Sequence, residues 1–477
     1  MPSDAPHELE TVNDVHSALN PTRMRVERPA NVEDIGGIVS DVAQAGSSLA
    51  ICGGRHAMGG QQFADGSVLI DLRSMNRILD FDLERGLIRV EAGIQWPELI
   101  RGSLELQRTL EPGRPPRWGI AQKQTGADSL TIGGALSANI HGRGLLMGPI
   151  VSDIESFTLM PSTGERLQCS RTKNAEHFAL AIGGYGLFGV IVDVTLRLAP
   201  RRTLRRTVRV IDIEDAINAA ERRIREGFLY GDFQFDIDPR SPDFLTKGVF
   251  SGYRPVEGDP QPPAGQQVLS RDAWIDLLTL AHGDKARAFT LYAQHYIATD
   301  GQLYHSDTHQ LSEYLEDYHL EVDRRLGSVH RGSEIITELY VPPESLVEFL
   351  RAAAKLLVEH ETPVVYGTIR LIQPDRDTIL AWARSRFACV IFNLHVDHAD
   401  ESLRRAAEAF RSLIDLAIGL GGSFYLTYHR FATPQQIGHC YPHIHEFFEM
   451  KRTLDPGDVF QSDWYRHYAP HFKGTTV

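Results

Sequence analysis

The sequence predicts an α+β fold divided between two folded regions, and three observations carry that reading. At 477 residues the chain exceeds what one hydrophobic core usually serves. In the first half, strand-like and helix-like segments interleave without a uniform βαβ repeat, which argues against a doubly wound sheet. The second half changes character, with β-rich segments set between helical ones and broken by the Pro/Gly-rich EGDPQPPAGQQ, so an antiparallel sheet with flanking helices is expected there.

Taken in order, residues 1–20 lack apolar periodicity and read as a loose N-terminal arm, with the capping of a neighbouring surface as the alternative. VEDIGGIVSDVAQAG places apolar residues at helical spacing, and SLAICGG is a short apolar run ended by glycines. SVLIDL, ILDFD and GLIRVEAG follow as strands, with WPELIRGSLEL as the next helix. A glycine-rich segment, TGADSLTIGGALSANIHGRG, precedes DIESFTLMPSTGERLQC, which reads as two strands around a Ser-Thr-Gly turn. VIVDVTLRL alternates as a long strand, and the basic RRTLRR beyond it suggests a boundary near residue 205. In the second half DFQFDIDP, KGVFSGYRP and AFTLYAQHYI read as β-rich, SLVEFLRAAAKLLVEH as a helix, and VVYGTIRLI and ACVIFNLHV as strands.

Composition excludes several classes. Hydrophobic residues make up 42% and charged residues 23%, ordinary globular usage. The net charge of -13 disfavours nucleic acid as a partner. The N-terminus carries no basic, apolar secretory pattern, and no apolar run reaches membrane-spanning length, so a cytoplasmic protein is expected. Cys52, Cys169, Cys389 and Cys440 stand far apart and are expected as free thiols, with neither disulfide nor zinc spacing. No metal is assigned: His439, His443 and His445, in HCYPHIHEF, read as a helix surface.

Two glycine-rich segments carry chemistry. The first, Cys52-Gly53-Gly54-Arg55-His56-Ala57-Met58-Gly59-Gly60, directly follows a strand, and its glycines allow backbone amides to approach an anion such as a pyrophosphate. A glycine cluster also simply ends strands, and a lone histidine is usually structural, so context decides for His56. The second runs from Gly126 to Gly142 and offers Ala127, Thr131, Gly133, Gly134, Ser137, Asn139 and His141, small groups suited to an extended diphosphate. Neither segment is GxGxxG opening a first helix or GxxxxGK[ST], so neither a Rossmann domain nor a P-loop is supported.

His56 in its cradle, SVLIDL, RVEAG, TIGGALSANIHGRG and GGYGLFGVI occur in an order that resembles the PCMH-type FAD-binding domain of the vanillyl-alcohol-oxidase family, over residues 30–205. Within the family the likeness is to the alditol and aldonolactone oxidases and to the oxidase subunit of decaprenylphosphoryl-ribose 2'-epimerase. GGSFYLTYHRFATP and the C-terminal YPHIHEFFEMKRTLDPGDVFQSDWYRHY extend the likeness to that subunit, whereas 206–340 match loosely. The resemblance implies an arm at 1–20, an FAD-binding domain at 21–205, a substrate cap at 206–420 and a C-terminal segment at 421–477 that returns to the flavin.

It also implies roles. Gly53, Gly54, Arg55, His56 and Ala57, with Gly126, Ala127, Thr131, Gly133, Gly134, Ser137, Asn139, His141 and Gly142, would hold FAD; Val190 or Ile191 would meet the adenine end. His56 stands where alditol oxidases and cytokinin dehydrogenases carry the histidine bonded to flavin, so a covalent histidyl-FAD is expected, although the epimerase subunit lacks it. No cysteine in 120–135 offers a second attachment. The branched Ile140 beside His141 favours a dehydrogenase over an oxidase.

In the cap, Arg370 matches a position where lactone and alditol oxidases carry an arginine and could stabilise developing negative charge. Asn393 and His395 alternate on one face of the neighbouring strand. Tyr425 falls where the epimerase subunit has a flavin-contacting tyrosine, and Tyr428 where it has a lysine. The expected reaction is oxidation of a CH–OH group of a sugar, polyol, lactone or related small-molecule alcohol by hydride transfer to flavin N5, with O2 or another acceptor reoxidising it. His395, Tyr428 and His141 are the candidate bases. The alternative is an NAD(P)H-dependent C=C reductase of the sterol Δ24 type, which shares the flavin domain.

Overall fold

The computed structural model describes residues 9–312, 315 and 317–473. It is an α+β fold in which helices flank three principal sheets. The first sheet has the order Glu10–Val12, Thr22–Glu27, Val68–Asp71, Leu49–Cys52, with the last three mutually parallel. The helix Val32–Gln44 that connects two of them is capped by the Asn31 side chain, which accepts from the Asp34 amide at 2.9 Å. The second sheet is antiparallel, in the order Ile78–Asp82, Leu87–Glu91, Val190–Arg197, Ile154–Met160, Leu167–Cys169. Ile35, Val39, Val90, Ile154 and Val194 belong to the core that serves this half.

The third sheet is antiparallel and eight-stranded: Leu303–His305, Thr203–Asp212, Lys247–Pro255, Tyr230–Phe235, Val364–Ile372, Phe387–Asp397, Gly332–Val341, Ser423–Phe424. Helices Leu346–Glu359 and Asp400–Gly419 bury Phe349, Leu350, Phe410 and Leu413 in a core shared with this sheet. The basic RRTLRR runs into the first residues of Thr203–Asp212. The chain's end returns to the first half, where Leu49 donates its amide to Val459 and makes a parallel bridge with Phe460.

Two expectations need correction. AFTLYAQHYI is not β-rich but lies in the helix Lys285–Ala298, and Ala288, Tyr292 and Tyr296 share one face at four-residue spacing, a helical period hidden by the local aromatic alternation. The loose arm is ordered over residues 9–20, the remainder lying outside the described residues. Glu10–Val12 pairs with Thr22–Glu27. Asp14 accepts from the Ser17 amide at 2.6 Å and from the Asn20 side chain at 3.0 Å, and Asn20 also donates to the Met58 carbonyl at 2.7 Å. The anchoring is polar, which apolar periodicity does not detect.

Candidate active site

A cavity of about 780 Å³ opens between the two glycine-rich segments and one face of the eight-stranded sheet. Gly53, Gly54, Arg55, His56 and Ala57 line it from one side, with Gly126, Ala127, Thr131, Gly133, Gly134 and Ser137 beside them. The segments touch. A Cβ on Gly53 would fall 2.0 Å from Thr131 Oγ1, and one on Gly54 would fall 2.1 Å from the Ser129 carbonyl oxygen. Thr131 caps the following helix by accepting from the Gly134 amide at 3.2 Å. Arg55 adopts a positive φ of 59° and reaches Asp71 at 3.1 Å, which turns the chain over the cavity. Narrow, backbone-rich walls of this kind fit an extended diphosphate cofactor.

His56 faces the cavity and meets the N-terminal segment: its Nδ1 lies 2.8 Å from His16 Nε2. Burial holds His56 well below the ordinary imidazole pKa, an effect the neighbouring His16 reinforces. Asp14, Val15, His16 and Ala18 also line the cavity, an involvement no motif in the segment signalled.

The opposite wall is built by strand register. Arg370 lies opposite Cys389, which in turn lies opposite Tyr340; one same-face step along, Thr368, Ile391 and Glu338 are paired in the same way. Phe233 opposite Ile369 sets Asp232 beside Arg370 and Gln234 beside Thr368 on the other surface of the sheet, the cavity side. The sheet therefore presents a strip of buried polar side chains. Asp232 Oδ1, Gln234 Oε1, Thr368 Oγ1, Arg370 Nε and Arg370 Nη1 have no hydrogen-bond partner among the described residues. Unpaired buried groups of this kind are costly in a core and are the usual equipment of a site for a hydroxyl-rich ligand.

Beside the strip, on the same face of the sheet, lies Glu338, fully buried, whose carboxylate accepts from the Tyr340 hydroxyl, from Tyr428 Oη at 3.1 Å and from His141 Nε2 at 2.7 Å. His141 Nδ1 is 2.9 Å from the Gly142 carbonyl, so both ring nitrogens are engaged. Burial pushes the Glu338 carboxyl up, but His141, the Tyr340 hydroxyl and the Arg370 charge outweigh it and hold the group below its ordinary value. Tyr428 lines the cavity, and burial together with the Glu338 charge drives its phenol well above 10, so it keeps its proton. Glu338 was not singled out from sequence because Gly332–Val341 was not read as a strand. A carboxylate inside SEIITELYV was the available signal.

Several expected positions lie elsewhere. His141 and Gly142 stand behind the cavity wall, and both His141 nitrogens are engaged, so it is a partner of Glu338 and not a free base. Asn139 is the left-handed C-cap of the helix Ile132–Ala138; its side chain donates to Asp375 at 2.8 Å, a structural tie. Ile191 lines the cavity, whereas Val190 points into the core. Asn393 lines it, but His395, one step further along, packs against His282 with ring centroids 4.8 Å apart. Tyr425 lines it while donating to the Ala138 carbonyl at 2.5 Å. Ile140 is a buried wall residue. His439, His443 and His445 are exposed, and the four cysteines are buried free thiols. Among the described residues, no helix is long and apolar enough to cross a membrane.

Residues 25–170 match the family described as FAD binding domain. The L-gulonolactone oxidase of Bos taurus is 28% identical over 42% of this chain and 42% of its own length. The L-gulono-1,4-lactone dehydrogenase of Mycobacterium tuberculosis is 25% identical over 92% of this chain and 95% of its own. Cytokinin dehydrogenase 3 of Arabidopsis thaliana is 30% identical over 44% of this chain and 40% of its own. The chain thus spans about two-fifths of the length of the bovine oxidase and the plant dehydrogenase, and nearly all of the mycobacterial one.

Proposed function

We propose that this chain, an FAD-dependent oxidoreductase of the vanillyl-alcohol-oxidase type near the aldonolactone oxidases, oxidises a CH–OH group of a polyhydroxylated lactone or sugar. The observation that carries the reading is the hydrogen-bonded chain Tyr428–Glu338–His141 beside the unpaired Arg370, on a sheet face that shares one cavity with the glycine cradles. When bound, FAD supplies the acceptor for the hydride that leaves the carbinol carbon. The substrate hydroxyl meets Tyr428 Oη, which takes the proton as it passes its own to Glu338 Oε2. Arg370 stabilises the negative charge that grows on the substrate oxygen. Asp232, Gln234, Thr368 and Asn393 orient the remaining hydroxyls, and O2 or another acceptor completes turnover. The relatives favour this reading over the C=C reductase. The buried free thiols accord with a cytoplasmic setting.

Tyr428→Phe tests the relay. It removes the hydroxyl alone and is expected to slow flavin reduction by the alcohol by about 10²-fold, within the range typical of lost acid–base groups, with the flavin spectrum intact. An unchanged rate removes Tyr428 from the path. pH supplies a second check. Because the Glu338 carboxyl is depressed, it is ionised above, and somewhat below, the ordinary 4.5, and the acid limb of the reduction rate should lie beneath that value. The raised Tyr428 phenol should contribute no alkaline limb below pH 10.

The residues that fit FAD are the Gly53–Ala57 and Gly126–Gly134 segments, which would hold the diphosphate, and His56, which would carry the covalent bond, its ring held against His16. Acid precipitation of the purified protein should leave flavin in the pellet, and His56→Ala should release it to the supernatant. Free flavin from the unmutated protein contradicts the covalent bond without touching the rest.

A further inference from the structure

Away from the Glu338 cluster, side chains from three separate elements converge: His282 near the end of the helix Arg271–Gly283, His319 in the first turn of Tyr318–Leu326, and Glu334 on Gly332–Val341. One donor atom from each lies within 4.8 Å of the other two. Glu334 and Glu338 share a strand face two alternations apart, so this cluster stands about 13 Å along the sheet from the proposed relay. His319 and Glu334 line the same cavity.

The hydrogen bonds around these residues leave their donor atoms facing one another. His282 Nδ1 is 2.7 Å from the Leu278 carbonyl and therefore carries the ring proton, which leaves a lone pair on Nε2. That Nε2 is buried and has no hydrogen-bond partner among the described residues, and the same holds for His319 Nδ1. Glu334 accepts from the Tyr318 hydroxyl, which fixes its carboxylate. Of the nearby cations, Lys285 spends its ammonium on the Ala281 and Val364 carbonyls at 2.6 and 2.5 Å, while Arg331 lies close enough to His319 to act on it electrostatically. The His395 ring stands edge-on to His282 and holds it in place.

We propose that His282, His319 and Glu334 bind one divalent zinc-type cation that ties the two helices to the sheet at this end of the cavity. Two bonds of about 2.1 Å meeting at the tetrahedral angle place donors ~3.4 Å apart, so the three atoms, now within 4.8 Å of one another, would be drawn together by up to ~1.4 Å as an ion binds. Two imidazoles and one carboxylate suit zinc or a neighbouring transition ion, whereas calcium or magnesium prefers oxygen donors, and two of these three are nitrogen. The backbone bond on His282 Nδ1 and the tyrosine on Glu334 are the second-layer contacts that orient metal ligands. Sequence spacing gave no sign of the site, because its residues stand 37 and 15 positions apart on three elements.

The test uses the full-length flavoprotein, purified without chelator from zinc-supplemented medium. Elemental analysis is expected to find one zinc per chain, and dialysis against a chelator followed by Co²⁺ should give the visible bands of a low-coordinate cobalt site. His282→Gln/His319→Gln should abolish both signals while His439→Gln, at the exposed cluster, leaves them unchanged; the flavin spectrum reports folding in every case. If the double variant does not fold, Zn²⁺ displacement of Co²⁺ from the unmutated protein, followed in the same bands, still decides. A correctly folded protein that holds no zinc and takes up no Co²⁺ overturns the proposal, as does stoichiometric metal that survives the double substitution. Neither readout depends on the alcohol chemistry, so the two readings fail separately.

Discussion

Glu338→Gln is expected to slow flavin reduction by alcohol by about 10²–10⁴-fold, the largest effect of any single substitution at the site. The amide keeps the shape of the carboxylate but cannot take the proton that Tyr428 passes inward. The substitution also puts an amide, in a fully buried setting, in place of the carboxylate that His141, Tyr340 and Tyr428 share. Leaving buried hydrogen-bonding groups without their acceptor commonly costs about 1–3 kcal/mol, so the thermal midpoint should fall as well. Stopped-flow reduction under anaerobic conditions, with the oxidised spectrum as the control for folding, separates the two effects. A variant that loses stability but keeps its reduction rate would assign Glu338 to structure alone.

The second large effect belongs to Arg370. Its side chain is buried at the centre of the polar strip, with two guanidinium nitrogens that no described residue satisfies. A cation so placed is positioned for the charge that develops on the substrate oxygen, and losing such a group commonly costs 10²–10³-fold in rate. Arg370→Met keeps most of the stem's packing and removes the charge, so reduction should slow by that amount with little change in stability. Arg370→Lys should recover part of the rate, because the charge returns without the planar fork. Equal rates for the Met and Lys variants, or a Met variant as fast as the parent, would contradict a transition-state role.

The first half was legible because its signals are local. Glycine runs after apolar strands, the hydroxyl-bearing second cradle and the alternation of VIVDVTLRL depend on neighbours in sequence, and each is found as an element or a cavity wall. The cap was harder. Tyr292 and Tyr296 obey a helical period that aromatic clustering disguised as β-pattern. Glu338 gains its meaning only from register, since Ile391 must pair with it for the carboxylate to share a face with Thr368 and Arg370 and to meet Tyr428. His141 and His395 illustrate the converse: both are histidines at plausible positions, yet one is consumed by Glu338 and the Gly142 carbonyl and the other packs against His282. Asp14 and His16 escaped notice because this short segment takes its order from side-chain hydrogen bonds and from pairing with residues distant in sequence.

The most direct test of the central claim is an anaerobic titration of the purified flavoprotein with a panel of polyhydroxylated lactones, sugars, polyols, simple secondary alcohols and NADPH, following the flavin absorbance. The account predicts bleaching by a hydroxylated lactone or sugar, weaker or no bleaching by simple alcohols that cannot engage Asp232, Gln234 and Thr368, and none by NADPH. Bleaching by NADPH alone, with every alcohol inert, would contradict it.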